Sequence, residues 1–371
     1  MKYTIITTFY NGKNILDSCL YHTISTISNK SEVEIIVVND NPQISIENII
    51  NKYNSDIAIK LINVDKNGGH PRACNIGANA ANGDYLIFMD CDIFPTSGWL
   101  DEMQKSFTQN DNVGSVSATV VDMSTNRITI TGIELHGVDC LKPYREQFVD
   151  NLNIDGDRSY TFTPSGCFML KRETFKKING FNPVYFNAYG DMDLSGKIFE
   201  LGYNNYVCTK AIVYHRGNIG GEMRSLSVMD TKALFFKEWG NKKVNNGLKF
   251  FAQECKKFSQ ATPIEKEYIF INFSNTLYLD DYISTISKEL GIKVIDIFNF
   301  KNLSDKPVIF DDVLGVELCM QTYPLILFFK RFTYANNNYF WSQNRCNKND
   351  IVCDMNGNFV LAKNLLKNNS F

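Results

Sequence analysis

The residues best suited to chemistry stand where apolar runs stop. In "YLIFMDCDIFP" (85–95) an apolar stretch ends at Asp90 and Asp92, one residue apart. Two carboxylates flanking one residue at a strand end can share a hard divalent cation. That cation can bridge the phosphates of a nucleotide diphosphate. A solvated turn is the alternative. The apolar run before the pair and "IFPTSGWL" after it favour the metal.

In "NGGHPRACNIGANAANGD" (67–84), Gly68 and Gly69 permit a tight turn and a close backbone approach to a ligand. Arg72 follows in the first turn of a helix, whose free N–H groups and dipole favour anions. It reads either as a contact to a diphosphate or as a surface arginine. Asp40, ending "EIIVVND", can accept from a base N–H or a ribose hydroxyl, or cap a turn. In "YGDMDLSGKIFELGY" (189–203), one carboxylate can take the proton of an acceptor hydroxyl, as a general base must. Spacing favours Asp191 for that role and Asp193 for capping the helix. His215 ends "AIVYH" and precedes "RGNIGG"; a neutral imidazole there can complete the coordination of a metal held by Asp92.

Strand–helix alternation must position these groups. "YTIITTF", "VEIIVVND", "IAIKLINVD" and "DYLIFMD" read as strands. The segments between them read as helices, with Ile15, Cys19, Leu20 and Ile24 on one face of the first. Such alternation predicts parallel βαβ units in a doubly wound, mostly parallel α/β sheet. Ligands then sit outside the strand carboxyl ends. Thr7 to Tyr10, Asn39–Asp40 and Asp90 to Asp92 share that rim. Further on, "RITITGIELHG" is one β-rich run, "YVCTKAIVYHRG" is a strand, and residues 222–248 are helical and polar. "EYIFINFSNTLYLDDYISTISKELGIKVIDIFNF" reads as strand, helix, strand. "PVIFDD", an apolar stretch around 323–332 and an asparagine- and aromatic-rich end complete the chain.

The 371 residues and 44% hydrophobic content suffice for a large core. A formal net charge of -2 argues against nucleic-acid partners. "MKYTIITTFYNGK" does not read as a signal peptide, and no stretch approaches the roughly 20 apolar residues of a spanning helix. The ten cysteines form no CxxC pair, so reduced thiols in a cytoplasmic protein are expected.

Taken in order, TTFYN, EIIVVND, NGGHPRACNIGANAANGDYLIFMDCDI, SGCFMLKRETFKKINGF, YGDMDLSGKIFELGY and VYH resemble the inverting, nucleotide-sugar-dependent glycosyltransferases of family 2, which have the GT-A fold. The resemblance spans roughly residues 1–220. It implies that Thr7, Phe9, Tyr10 and Asp40 lie against the nucleotide base and ribose, and that Arg72 contacts the nucleotide end of the donor. Asp90 would bind ribose or metal, Asp92 and His215 would ligate a divalent cation (Mn2+ or Mg2+), and Asp191 would be the base. The implied partners are a nucleotide diphosphate sugar, expected to be a UDP-sugar, and a glycan or glycoconjugate acceptor. A hexosyl or N-acetylhexosaminyl transfer in bacterial surface polysaccharide or glycoconjugate synthesis is expected, in the cytoplasm or at the inner face of the membrane.

The expected organisation is a transferase domain over 1–248, split into a nucleotide-binding half (1–95) and an acceptor half (96–248). A smaller α/β or α+β region follows over 249–371, which could bind acceptor or form an oligomer. Two departures stand out: Gly190 precedes Asp191, and Asn39 precedes Asp40, where the family often carries paired acids. A non-catalytic sugar- or nucleotide-binding relative is one alternative. A nucleotidyltransferase is another, but "TTFYNGKN" lacks the glycine-rich phosphate loop it would need.

Overall fold

A computed structural model describes residues 1–145, 147–151, 156–217, 221–240, 242, 246–272, 276–299, 326–329 and 349–361. "PVIFDD" and the asparagine- and aromatic-rich stretch lie outside them. Two compact units form: residues 1–133 with 147–244, and residues 134–146 with 245–371.

The first unit begins β1 (Tyr3–Phe9), α1 (Lys13–Ser25), β2 (Val33–Asn39), α2 (Glu47–Asn51), β3 (Ala58–Asn63), α3 (His70–Asn79), β4 (Tyr85–Asp90). It continues with β5 (Ile93–Pro95), α4 (Trp99–Gln109), β6 (Val113–Asp122) and β7 (Arg127–Ile130). A hairpin of β8 (Glu134–His136) and β9 (Asp139–Leu141) then goes to the second unit. Back in the first unit come β10 (Arg158–Tyr160), β11 (Cys167–Lys171), α5 (Arg172–Lys177), α6 (Gly190–Glu200), β12 (Asn204–His215) and α7 (Gly221–Trp239).

The main sheet runs β10-β12-β6-β11-β4-β1-β2-β3, with β5 beside β12 and β7 beside β6. Strands β3, β2, β1 and β4 are mutually parallel, whereas β11 is antiparallel to both β4 and β6. Helices cover both faces, so alternate residues of one strand enter two different cores. Ile5, Ile87 and Met89 pack with Leu16, Leu20, Trp99 and Met103. Ile6, Leu86 and Phe88 pack with Ala73, Ala78, Phe181 and Leu194. Burial on both faces is why these strands read as nearly continuous apolar runs. The small residues of α3 have a steric cause. A Cβ on Gly77 would lie 2.4 Å from Ile6 Cγ2, so only a bare backbone lets the helix come this close to the sheet.

Several sequence expectations shift by a residue or an element. Leu16, not Ile15, joins the buried face of α1. The helix expected between the second and third strands is short, Glu47–Asn51. "RITITGIELHG" is not one strand: β7 pairs with β6 in the first unit, whereas β8 pairs with β9 in the second.

The second unit adds α8 (Gly247–Ala261), β13 (Glu267–Asn272), α9 (Leu279–Leu290), β14 (Lys293–Asn299), β15 (Ile326–Phe329), β16 (Ile351–Cys353) and β17 (Phe359–Leu361). Its sheet order is β14-β13-β15-β16-β17, parallel except at β17. The borrowed segment 134–146 is bonded into this unit. Thr276 Oγ1 donates to Asp139, Lys142 N donates to Asn356 Oδ1 at 2.8 Å, and Asn358 Nδ2 donates to the Arg145 carbonyl at 3.2 Å. Among the described residues no helix is long and apolar enough to cross a membrane.

Candidate active site

The carboxyl ends of β1, β2 and β4 form one rim because their registers align. Thr8 stands beside Asp90, and Phe9 stands beside Asn39. Of the β1 residues expected at the rim, Thr7 and Phe9 are buried, Phe9 within the apolar core beneath it, and Tyr10 is exposed.

Asp40 is buried just past β2 and spends a bond from each oxygen on the glycine turn. Gly68 N–H donates to Oδ1 at 3.0 Å and Gly69 N–H to Oδ2 at 2.9 Å. Burial raises its pKa above the usual carboxylate value, against the opposing pull of those two N–H groups and of Arg72. The Arg72 side chain folds back over the same turn: a Cβ on Gly68 would lie 2.4 Å from Arg72 Cδ. Gly69 has φ +82°, and a Cβ there would lie 2.4 Å from the Phe186 carbonyl oxygen. That carbonyl accepts from His70 N–H at 3.0 Å and seats the start of α3.

Asp90 and Asp92 separate in role. Asp90 is half-exposed, and its N–H donates to the Gly166 carbonyl at 3.1 Å. Asp92 is buried, with Oδ2 3.1 Å from His215 Nε2. The sheet dictates this meeting: β5 runs antiparallel to β12 with Ile93 opposite His215, so Asp92 arrives beside the imidazole. Cys91 between them packs against the core, and burial pushes its thiol pKa well up.

The Asp92–His215 spacing can be tested against a metal. Two ligands each about 2.1 Å from one ion, at a right angle, stand about 3 Å apart. The observed 3.1 Å and the mixed oxygen–nitrogen donors fit a divalent cation. Among the described residues no group of three or more His, Cys, Asp and Glu side chains gathers around one such point.

Helix α6 begins at Gly190, so Asp191 and Asp193 both lie in its first turn rather than in a preceding loop. Tyr189, at φ 66°, is the N-cap, with no side-chain capping bond. The expectation that Asp193 caps the helix is therefore not met. Asp193 is fully buried, pairs with Lys197 Nζ at 2.7 Å and accepts from Trp239 Nε1 at 3.2 Å. Asp191 is half-exposed and accepts from Met192 N–H at 2.9 Å and Ser165 N–H at 3.3 Å.

Its helix is anchored from the sheet by Asn205, whose Nδ2 donates to the Ser195 carbonyl at 2.8 Å and to the Thr161 carbonyl at 3.0 Å. Gly190 has a packing reason: a Cβ there would stand 3.0 Å from Pro71 Cγ, where the starts of α6 and α3 meet.

His70 has little sequence signal beyond its place after Gly69. The structure sets its Nδ1 3.0 Å from Thr8 Oγ1 and its Nε2 3.9 Å from Asp90 Oδ1. The Ser165–Gly166 dipeptide opens the "SGCFMLKRETFKKINGF" segment, but its contacts with Asp90 and Asp191 emerge only from the fold.

Residues 4–178 match the family model described as Glycosyl transferase family 2. "Uncharacterized glycosyltransferase YwdF" of Bacillus subtilis (strain 168) is 28% identical over 196 residues, covering 52% of this chain and 66% of that protein. "Polypeptide N-acetylgalactosaminyltransferase 4" of Mus musculus is 26% identical over 223 residues, covering 54% of this chain and 37% of that one. The chain thus spans less than two thirds of the length of either relative. A crystal structure of GalNAc-T7 with UDP, GalNAc and Mn2+ superposes with a TM-score of 0.53 at 14% identity. It covers 79% of this chain and 55% of that one, a likeness of fold. The central sheet and its flanking helices are of the GT-A glycosyltransferase type.

Proposed function

We propose that this chain, whose residues 4–178 match the glycosyl transferase family 2 model, moves a sugar from a nucleotide diphosphate sugar to a hydroxyl of a glycan or glycoconjugate, with inversion and with a divalent cation. A UDP-sugar is the expected donor. The observation that carries this reading is the approach of Asp92 Oδ2 to His215 Nε2 at 3.1 Å, on the rim that also holds Asp90 and the glycine turn.

Asp92 and His215 would hold the cation, with water and diphosphate oxygens as its remaining partners. When bound, it would draw charge off the departing diphosphate, the largest electrostatic demand of the reaction. Arg72, folded over the Gly68–Gly69 turn, adds a positive charge on the same side. Asp40 holds that turn shut and keeps acceptor capacity for a base or ribose. Exposed Tyr10 offers a ring to the base, while Thr7 and Phe9 support the rim from below.

Asp191 would remove the acceptor's proton. Its two N–H bonds orient the carboxylate without neutralising it, leaving lone pairs for the incoming hydroxyl. Asp193, enclosed with Lys197 and Trp239, holds the helix in place. One base and one displacement predict inversion, in contrast to the two-carboxylate retaining route. Bacterial surface polysaccharide or glycoconjugate synthesis on the cytoplasmic side is the setting this chemistry suits. A screen of UDP- and GDP-sugars for metal-dependent nucleotide release, with the product anomer read by NMR, tests the reading. Release of nucleotide with retention would contradict the single-base mechanism.

A further inference from the structure

His70 stands where the strand tips meet the Gly68–Gly69 turn, and no role above uses it. Its ring is fixed on several sides. Nδ1 lies 3.0 Å from Thr8 Oγ1, Nε2 lies 3.4 Å from Cys74 Sγ, and Phe181 meets the ring edge-on at 6.1 Å between centroids. On its partly exposed side Nε2 also approaches Asp90 Oδ1, at 3.9 Å, and the Asp90 side chain is partly exposed as well.

The Asp90 carboxylate favours an N–H on Nε2 over the tautomer in which Nε2 accepts from the weakly donating Cys74 thiol. A lone pair on Nε2 aimed at a carboxylate would be repelled, whereas an N–H there is attracted. Nδ1 is then the acceptor of the Thr8 hydroxyl proton. The 3.9 Å gap is too long for a direct hydrogen bond. It suits one oxygen lying about 2.8 Å from each group, accepting from Nε2–H and donating to the carboxylate. A ligand hydroxyl, or the water it would displace, can do both at once; an ionised phosphate oxygen cannot.

We propose that His70 and Asp90 clamp a single hydroxyl of the donor, either of the nucleotide ribose or of the sugar to be transferred. The clamp rests on the nucleotide-sugar reading above and extends it to a residue with no assigned part. His70 is a binding residue here, acting through its Nε2–H.

The test is isothermal titration of the full chain with Mn2+ and UDP or GDP, their 2′-deoxy and 3′-deoxy forms, and the matching nucleotide sugars. Wild type should favour the ribonucleotide over one deoxy form, or the nucleotide sugar over the nucleotide, by about tenfold, as one neutral hydrogen bond allows. H70A should erase that preference. H70Q, which can return a donor near the Nε2 position, should restore part of it and provides the readout if H70A fails to fold. Loss of the ribose preference assigns the hydroxyl to the nucleotide, and loss of the sugar preference assigns it to the sugar. A wild type without either preference, or variants that keep it in full, would overturn the clamp. A wild type that binds neither UDP nor GDP would overturn the donor reading as well.

Discussion

Asp90 and Asp191 are bonded to the two halves of one dipeptide. Asp90 N–H donates to the Gly166 carbonyl at 3.1 Å, and Asp191 Oδ2 accepts from Ser165 N–H at 3.3 Å. A strand tip and a helix start, far apart in sequence, are thereby held in one frame. A general base is effective only within hydrogen-bond reach of the proton it takes, so under the proposed roles this shared peptide would register donor against base.

The first prediction separates the two aspartates of α6. Asp191→Asn should lower kcat by about 10²–10⁴-fold while leaving nucleotide affinity and the melting temperature near wild type. Asp193→Ala should instead destabilise the first unit by about 2–4 kcal/mol, since it strands Lys197 and Trp239 Nε1. Urea melts and single-turnover rates on both variants check the split. The reverse pattern would make Asp193 the base.

For the metal pair, His215→Ala should weaken Mn2+ binding in the presence of nucleotide by about tenfold or more. It should do so without melting the sheet, because β12 is held by its neighbours β6 and β10. Titration calorimetry with Mn2+ reads this directly, and an unchanged affinity would remove His215 from the site.

Two glycines make opposite predictions about tolerance. Gly69→Ala forces an L side chain at φ +82° with its Cβ 2.4 Å from the Phe186 oxygen, and should cost about 2 kcal/mol or more. It should also weaken nucleotide binding as the turn shifts. Gly190→Glu would create the acidic pair common in the family, but its Cβ stands 3.0 Å from Pro71 Cγ. A small loss of stability and no gain in rate are expected. A rate increase would show that the missing acid, rather than packing, governs this position.

A pH prediction comes from the second unit. Burial pushes the Asp354 carboxyl up to about 6, despite N–H donors from Asn356 and Asn358. The ordinary value is about 3.9, so the folded unit holds this proton more tightly than the unfolded chain. The resulting stabilisation is fully present below about pH 3.9 and is lost as pH rises through about 6. The melting temperature of wild type relative to Asp354→Asn should therefore rise between pH 7.5 and pH 5. Parallel melting curves across that window would refute it.

What the chain reveals as text follows from what is local. Strands β1, β2 and β4 are legible because each is buried on both faces, whereas edge strand β3 keeps exposed and half-buried residues; the tips are legible because Asp40 and Asp90 interrupt apolar runs. The pairing of Asp92 with His215 has a sequence signal in the histidine that ends "AIVYH", but the geometry of their meeting depends on β5 running antiparallel to β12. Three features leave no sequence signal. These are the two hydrogen bonds that Gly68 and Gly69 donate to Asp40, the approach of His70 to Asp90, and the transfer of residues 134–146 to the second unit. Each is a tertiary relationship between residues that are unremarkable where they stand. The start of α6 misleads in a specific way: Asp193 resembles an N-cap, yet Tyr189 in the left-handed region begins the helix one turn earlier.

The central claim is that Asp92 and His215 hold a cation that drives departure of a nucleotide diphosphate. Its most direct test is nucleotide release from UDP- and GDP-sugars by wild type and Asp92→Ala, each with Mn2+ and with excess chelator. Wild type should release nucleotide only with metal, and folded Asp92→Ala should release none above background in either condition. Equal release by wild type and Asp92→Ala in chelated buffer would contradict the account.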